Sequence, residues 1–182
     1  MWDRVAPDAQ AALLALVESL REFNVDLELP GQAGAAVDLH RSLMEAQIAT
    51  SFVAEYEQGR DSLSALLRAQ IERGRATPAS LCDRALQERT VLADAFDALF
   101  DSVDDILTPA TLGTAPLGLD ATGDPVMCTL WTFTGHPAIT LPLLQGANGL
   151  PIGVQLVGRR GGDAQLLRTA RWLSLIGAAH VK

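Results

Sequence analysis

Two apolar runs decide the fold: Ala138-Ile139-Thr140-Leu141-Pro142 and Ile152-Gly153-Val154-Gln155-Leu156-Val157-Gly158. Both are rich in β-branched residues, which predicts two short, buried strands. Asn148-Gly149 lies between them, and this dipeptide is typical of a hairpin turn. Upstream, Ile106-Leu107-Thr108-Pro109 predicts the end of a further short buried strand. We therefore expect a small sheet in the last part of the chain.

Proline and glycine divide the chain into two parts. Residues 1–100 contain three prolines and four glycines, whereas residues 101–182 contain six and eleven. The first part is therefore expected to be mainly helical, and the second to consist of strands and loops with one closing helix. The expected organisation is one structural unit, with a mainly helical segment at 1–103 and a strand-loop-strand segment with a carboxy-terminal helix at 104–182.

Within the first part, apolar residues at helical spacing predict individual elements. The expected helices cover residues 7–23, 35–58, 62–73 and 77–103, with Gly59 and Gly74 as helix ends. The alternating run at residues 25–29 predicts a short, half-buried strand instead. The fold class that follows is α/β, with a helical first half and then a mixed β-sheet segment.

Composition excludes several classes of function. The 182 residues carry 14 basic and 22 acidic side chains, a net charge of −8, which argues against a nucleic-acid surface because phosphates are neutralised by clustered Lys and Arg. Two cysteines make no disulfide framework and indicate a reducing compartment. We find no signal peptide, and no apolar run reaches the roughly 18 residues that a membrane span requires. The expected location is cytoplasmic, with no membrane and no nucleic-acid partner.

Catalytic signals are missing from the sequence. Lys182 is the only lysine, and none of the eight serines has the small neighbours of an activated nucleophile. His40, His136 and His180 lie far apart and have no metal-ligand spacing with each other or with cysteine or glutamate. The turn at residues 158–162 matches no phosphate-binding fingerprint. We therefore expect no catalytic residue, no metal site and no cofactor.

The most specific stretch is Trp131-Thr132-Phe133-Thr134-Gly135-His136-Pro137-Ala138. Aromatic rings, hydroxyls and a rigid backbone are typical of a small-molecule pocket, but they suit plain loop packing equally well. His136 is the best candidate among the histidines, because Gly135 and Pro137 hold it in a rigid loop just before a strand. Both interpretations of this stretch remain open at the level of sequence.

Three separated motifs together resemble the amidase signature family. They are Asp105-Ile106-Leu107-Thr108-Pro109-Ala110-Thr111, Gly135-His136-Pro137-Ala138-Ile139-Thr140-Leu141-Pro142, and the run from Gly149 through Gly158. Their order and the helix that follows agree with the carboxy-terminal end of that family. The resemblance implies a mixed α/β fold and hydrolysis of a carboxamide C–N bond.

The resemblance also implies where the chemistry resides. In that family a serine attacks the carbonyl, aided by a second serine and a lysine from a Gly/Ser-rich signature in the amino-terminal half. This chain has no Gly-Gly-Ser-Ser-Gly-like segment, so no catalytic residue is carried over. What is carried over is a set of substrate-pocket candidates: Thr108, Trp131, Thr132, Thr134, Gly135 and His136. Many members have asparagine where this chain has Thr132.

Three interpretations of function follow. The first is the carboxy-terminal part of an amidase, which supplies sheet scaffold and pocket walls and is inactive alone. The second is a non-catalytic module, derived from an amidase, that binds a small ligand or a partner. The third, an independent hydrolase using His136 or Cys128, is disfavoured because no activated nucleophile is present. The expected partners are an amidase amino-terminal half or a second copy joined through exposed sheet edges, and a small amide substrate binds only after complementation.

Overall fold

The computed structural model describes residues 1–180, and that description does not include the side chains of residue 32 and residues 178–180. The chain forms two compact units. One consists of Met1–Pro30 together with Ala93–Lys182, and the other is the intervening segment Gly31–Leu92. All strands of the described residues lie after residue 103. The division of the chain at that residue stays a prediction.

The first unit is built on a three-stranded antiparallel sheet. Its strands are β1 (Ile106–Pro109), β2 (Ala138–Gln145) and β3 (Pro151–Val157), and β3 is the central strand in the order β1-β3-β2. The predicted hairpin is confirmed, with Gly149 at a φ of 79° in the turn between β2 and β3. The β2–β3 register shifts between Leu141 and Leu144, where Pro142 has no N–H to donate to the ladder.

Two helices pack on one face of this sheet. They are α1 (Pro7–Ser19) and α7 (Asp163–His180). Successive side chains of a strand alternate between faces, and Val154 and Leu156 of β3 point toward these helices. The resulting core contains Leu13, Leu16, Leu20, Leu141, Val154, Leu156, Leu166, Ala170 and Leu173. Gln155, between Val154 and Leu156, points to the other face, where α6 (Val126–Thr134) lies.

The second unit is helical. It contains α2 (Ala36–Ser51), α3 (Val53–Gly59), α4 (Ala65–Ala76) and the first part of α5 (Ala79–Leu99), which continues into the first unit. Glu45 of α2 is buried and accepts hydrogen bonds from the Arg73 guanidinium of α4, with Nε to Oε2 at 3.0 Å. The mixed α/β fold class is therefore confirmed, with a sheet that is antiparallel throughout.

Four details of the sequence prediction are corrected by the structure. Residues 25–29 are not in a strand, because no neighbouring strand pairs with them. The helix expected at 35–58 is divided into α2 and α3 at Phe52, whose φ of −103° and ψ of 25° leave the helical region. Gly74 lies inside α4 instead of ending a helix. Residues 131–134, expected beside a glycine–proline turn, form the end of α6.

Candidate functional site

Gln155 connects the sheet to α6. Its amide is buried, and Nε2 donates to Thr108 Oγ1 at 3.3 Å and to the Met127 carbonyl oxygen at 3.4 Å. On the other side of the amide, Cys128 Sγ lies 3.6 Å from Oε1. The Gln155 side chain therefore links Thr108 on β1 to the first turn of α6. The other pocket candidates lie at the end of α6 and directly after it, at residues 131, 132 and 134–136.

The helix α6 has a defined start and end. Asp124 Oδ1 accepts a hydrogen bond from the Val126 N–H at 2.9 Å, which satisfies one free donor of the first turn. Gly135 ends the helix with a φ of 76°, a conformation that favours glycine over residues with a Cβ. This turn places His136 directly after the helix and before β2.

His136 is buried in a polar and aromatic cluster. Its Nδ1 lies 2.8 Å from Thr134 Oγ1, and its Nε2 lies 3.2 Å from Asp97 Oδ1. Asp97 in turn accepts a 2.7 Å hydrogen bond from the Arg160 Nε. The rings of Phe96, Phe100 and Trp131 surround the imidazole at centroid distances of 5.7, 5.7 and 6.4 Å. The cluster joins the end of α5, the end of α6 and the turn after β3.

Burial and charge set the protonation states in this cluster. Burial lowers the pKa of His136, the nearby Asp97 carboxylate raises it, and Arg160 lowers it further, so the pKa lies below its usual value. For Asp97, burial acts to raise the pKa, but hydrogen bonds from the Arg160 side chain and backbone outweigh it and hold the pKa below its usual value. Asp97 is therefore ionised and His136 neutral at pH 7.

The six candidate residues occupy different environments. Trp131, Thr134 and His136 are buried together, and the Trp131 ring meets Phe96 edge to face at 5.1 Å. Thr132 and Gly135 lie on the exposed side of α6 and its end. Thr108 is half-buried on β1 and joins this region through Gln155. The sequence did not single out Gln155, although a polar residue inside an apolar strand was a signal that could have found it.

A second concave surface lies in the same unit. It is a groove with a volume of about 1090 Å³, bounded by residues 22–29 after α1 on one side and by β1 on the other. We call it the β1 groove. Thr108 is the one candidate residue among its described lining, which also includes Phe23, Val25, Asp105, Arg168, Thr169 and Trp172.

Asp105 is unusual among the side chains of the β1 groove. Both of its carboxylate oxygens are buried, and neither makes a hydrogen bond of standard geometry with the described residues, although the Thr169 hydroxyl lies close enough to interact with the carboxylate. Burial raises the pKa of Asp105, and the neighbouring Asp104 raises it further, while the nearby Thr169 hydroxyl and Arg168 oppose the change.

Five of the eight serines make hydrogen bonds within helices or at their ends. The hydroxyls of Ser19, Ser42, Ser102 and Ser174 donate to helical carbonyl oxygens three or four residues earlier, and Ser64 caps α4. Cys128 is exposed, and its sulfur lies beside Gln155 Oε1 and the Ala110 carbonyl oxygen. Within residues 1–180, no three His, Cys, Asp or Glu side chains of the described part are grouped to hold a metal ion. No helix there is long and apolar enough to cross a membrane.

Comparison with curated proteins finds amidotransferase subunits. The chain is 43% identical over 97 residues to a glutamyl-tRNA(Gln) amidotransferase subunit from Roseobacter denitrificans, a match that covers 48% of this chain and 20% of that protein. It is 35% identical over 99 residues to a mitochondrial glutamyl-tRNA(Gln) amidotransferase subunit from Anopheles gambiae, covering 50% of this chain and 20% of the relative. The matched segment is thus about a fifth of each relative's length.

Solved structures share the fold over nearly the whole chain. An amidase crystal structure superposes with a TM-score of 0.79 and 21% identity, covering 98% of this chain and 42% of the amidase. A structure of an inhibitor-bound vestigial complex, related to the origin of an s-triazine catabolic enzyme, gives a TM-score of 0.82 and 21% identity, with coverages of 97% and 42%. The chain therefore spans about two fifths of these proteins.

A family model described as Amidase matches residues 5–167. This range contains α1, all three strands, α6 and the His136 cluster. This match bears out the resemblance drawn from the three sequence motifs. The chain belongs to the amidase family.

Proposed function

We propose that this chain is the carboxy-terminal part of an amidase-signature hydrolase and that it supplies sheet scaffold and substrate-pocket walls. Hydrolysis converts a carboxamide and water into a carboxylate and an amine or ammonia, and it needs a nucleophile that attacks the acyl carbon. The observation that supports the proposal is the family match over residues 5–167, in a chain where the hydroxyls of Ser19, Ser42, Ser102 and Ser174 donate to carbonyl oxygens of helices. We propose that the chain alone is inactive.

The pocket walls are proposed at Thr108, Trp131, Thr132, Thr134, Gly135 and His136. The Gln155 bridge supports this choice, because it holds Thr108 and α6 in one rigid arrangement. Thr132 is exposed and free of the packing that encloses Trp131, which makes its side chain the member of the set best placed to meet a substrate. The buried members then position the end of α6, with Gly135 supplying the turn.

Complementation tests this function. The purified chain is assayed for ammonia release from aliphatic and aryl carboxamides, alone and together with the amino-terminal part of the Roseobacter denitrificans relative. We expect no turnover by the chain alone and turnover by the mixture. The control is the same mixture with the nucleophilic serine of the relative replaced by alanine. This mixture is expected to release no ammonia.

Covalent labelling gives an independent readout. A fluorophosphonate probe is expected to leave the chain unmodified and to label the amino-terminal part in the mixture. Turnover or a covalent adduct on the chain alone would refute the proposal that it is inactive in isolation. A stable complex that never hydrolyses an amide favours the non-catalytic binding module instead.

A further inference from the structure

The hairpin turn between β2 and β3, at residues 146–150, contains one of the two asparagines of the chain. Asparagine is a chemically labile residue, because the backbone nitrogen that follows it can attack its side-chain amide. Asn148 is exposed and is followed by glycine, which has no Cβ to hinder that attack. Asn24 is followed by the β-branched Val25. Asn148 is therefore the asparagine of this chain that is chemically open to deamidation.

Deamidation at this position passes through a cyclic imide. The Gly149 nitrogen loses its proton and forms a bond to Cγ of Asn148, and the bond from Cγ to Nδ2 breaks as Nδ2 takes up a proton and leaves as ammonia. Water then opens the ring at either carbonyl carbon, which gives aspartate or isoaspartate. The net reaction consumes water, releases ammonia and replaces a neutral side chain by a carboxylate, so it needs no other reactant.

In the folded chain, hydrogen bonds restrain both the amide and the nitrogen that attacks it. The Gly149 N–H donates to the Gly146 carbonyl oxygen at 2.9 Å, so the proton that must leave is engaged within the turn. The Leu150 N–H donates to Asn148 Oδ1 at 3.1 Å. Asn148 Nδ2 donates to Thr114 Oγ1 at 3.1 Å, and Thr114 belongs to the loop before α6. The side-chain amide is thus held by a tertiary contact that must open before the ring can close.

A carboxylate at residue 148 would disturb the contact between the hairpin turn and α1. Asp8, in the first turn of α1, accepts a hydrogen bond from the Ala147 N–H at 2.9 Å, and this bond is the main cause of the lowered pKa of Asp8. Asp8 Oδ2 and Asn148 Oδ1 lie 3.1 and 3.2 Å from the same point, the position of a Cβ built on Gly146. A second negative charge here would repel Asp8.

We propose that Asn148 is a modification site, which deamidates when its contact with Thr114 opens, and that the resulting carboxylate weakens the contact of the hairpin turn with α1. The extent of the reaction then records how often the loop before α6 separates from the turn. Asn24 offers no such record, because its Nδ2 donates to the Val17 carbonyl oxygen and a branched residue follows it.

Peptide mass spectrometry tests the site on the full chain. The chain is incubated at mildly alkaline pH in water labelled with a heavy oxygen isotope, with and without urea. We expect labelled oxygen at residue 148 and none at Asn24 in the folded sample. Urea is expected to raise the rate at Asn148 roughly tenfold or more, because the folded turn reacts only through local opening. Equal rates with and without urea, or no label at residue 148 in either sample, would overturn the proposal.

Thr114→Val separates the contact from the Asn-Gly sequence. The substitution removes the acceptor of Asn148 Nδ2, and we expect the rate at Asn148 in the folded chain to rise roughly fivefold or more. Thr90→Val is the matched control, because the Thr90 hydroxyl donates within its own helix and lies in the other compact unit. Circular dichroism verifies that both variants are folded. If Thr114→Val reacts at the rate of the unmodified chain, Thr114 does not restrain Asn148 and the proposal is wrong.

Asn148→Asp tests the consequence of the reaction. Hydrogen exchange at the Ala147 amide is expected to accelerate roughly threefold or more, because the new charge opposes the bond to Asp8. Asn24→Asp makes the same change of charge in the same compact unit and is expected to leave this exchange rate unchanged. Adding Asp8→Asn to Asn148→Asp is expected to return the rate to that of Asp8→Asn alone. Unchanged exchange at Ala147 in Asn148→Asp would contradict the proposed repulsion.

Discussion

Gly74 sets the distance between α2 and α4. A Cβ built on this residue would lie 1.9 Å from the Glu45 carbonyl oxygen and 2.9 Å from Ala49 Cβ. No rotation of a side chain relieves a clash with backbone, so the helices can approach this closely only at a glycine. The approach also brings Arg73 beside the buried Glu45 carboxylate, where their hydrogen bonds raise the pKa of the guanidinium.

We expect Gly74→Ala to lower the free energy of unfolding by about 1–3 kcal/mol, a typical result of overpacking. Alanine favours a helix over glycine by about 1 kcal/mol, so the measured loss is the net of the two effects. Denaturant unfolding followed by circular dichroism measures it. The control is Gly34→Ala, where the added methyl group has nothing within 4 Å. If Gly74→Ala and Gly34→Ala have the same free energy of unfolding, the backbones of α2 and α4 do not approach closely at Gly74.

The same residue shows what sequence reasoning can and cannot recover. A glycine within a helical pattern fits both a helix end and a close approach of two backbones, and only the position of α2 distinguishes them. Gly149 was simpler, because the hairpin turn is a local property of Asn148-Gly149 and needs no tertiary information.

At the scale of elements, one buried amide joins β1, β3 and α6. Gln155→Leu leaves the Thr108 hydroxyl and the Met127 carbonyl oxygen without this donor, and we expect it to lower the free energy of unfolding by about 1–3 kcal/mol. Tryptophan fluorescence during denaturant unfolding is the measurement, because Trp131 lies in α6. The control, Gln145→Leu, changes an exposed glutamine of β2 and is expected to have little effect. If Gln155→Leu leaves the free energy of unfolding unchanged, the hydrogen bonds of Gln155 do not stabilise the fold.

The His136 cluster predicts a pH dependence. Burial lowers the pKa of this histidine below its usual 6.5, so the unfolded chain binds the proton more readily. The stabilisation is fully present above pH 6.5 and is lost as the pH falls below that value, by at most about 1.4 kcal/mol per pH unit for one proton.

Unfolding followed by tryptophan fluorescence at pH 7.5 and pH 5.5 measures this effect. All three tryptophans, Trp2, Trp131 and Trp172, belong to the unit that contains His136. In His136→Phe the loss of stability between the two pH values is expected to shrink. In His40→Gln it is expected to persist in the fluorescence signal, although burial also lowers the pKa of His40, because that residue lies in the other unit. If His136→Phe loses as much unfolding free energy between pH 7.5 and pH 5.5 as the unmodified chain, His136 is not the group responsible for the pH dependence.

Elements whose signal was local were predicted well, and those that depend on partners were not. The strands β2 and β3 followed from β-branched composition. Residues 25–29 have the alternation of a strand, but pairing requires a neighbour, and the described chain provides none. The helix α6 was missed because it has only nine residues and begins directly after Pro125, at the end of a loop rich in glycine and proline. The six pocket candidates stay predictions. Gln155 carried a signal in the sequence, as a polar residue inside an apolar strand, but its hydrogen bonds to β1 and α6 depend on the tertiary structure.

At the scale of the whole molecule, exposed apolar residues predict association. Leu117 and Leu119, in the loop before α6, are fully exposed, with relative exposures of 106% and 102%. We expect Leu117→Ser combined with Leu119→Ser to reduce concentration-dependent association in sedimentation velocity without altering thermal unfolding, since neither side chain is packed. Leu66→Ser, in the other unit, is the control. Undiminished association in the double variant would place the contact elsewhere, for example at the edges of β1 and β2.

The packing of α1 on the sheet has a consequence for biosynthesis. Leu13, Leu16 and Leu20 belong to the same core as Leu141 and Leu173, which the ribosome adds well over a hundred residues later. At about 5–20 residues per second, roughly 6 to 30 seconds pass before the residues that cover the apolar face of α1 have been added. Contacts so distant along the chain also slow folding. Until those residues have been added, the nascent chain presents the apolar face of α1 unshielded, and a chaperone such as a holdase is expected to bind it there.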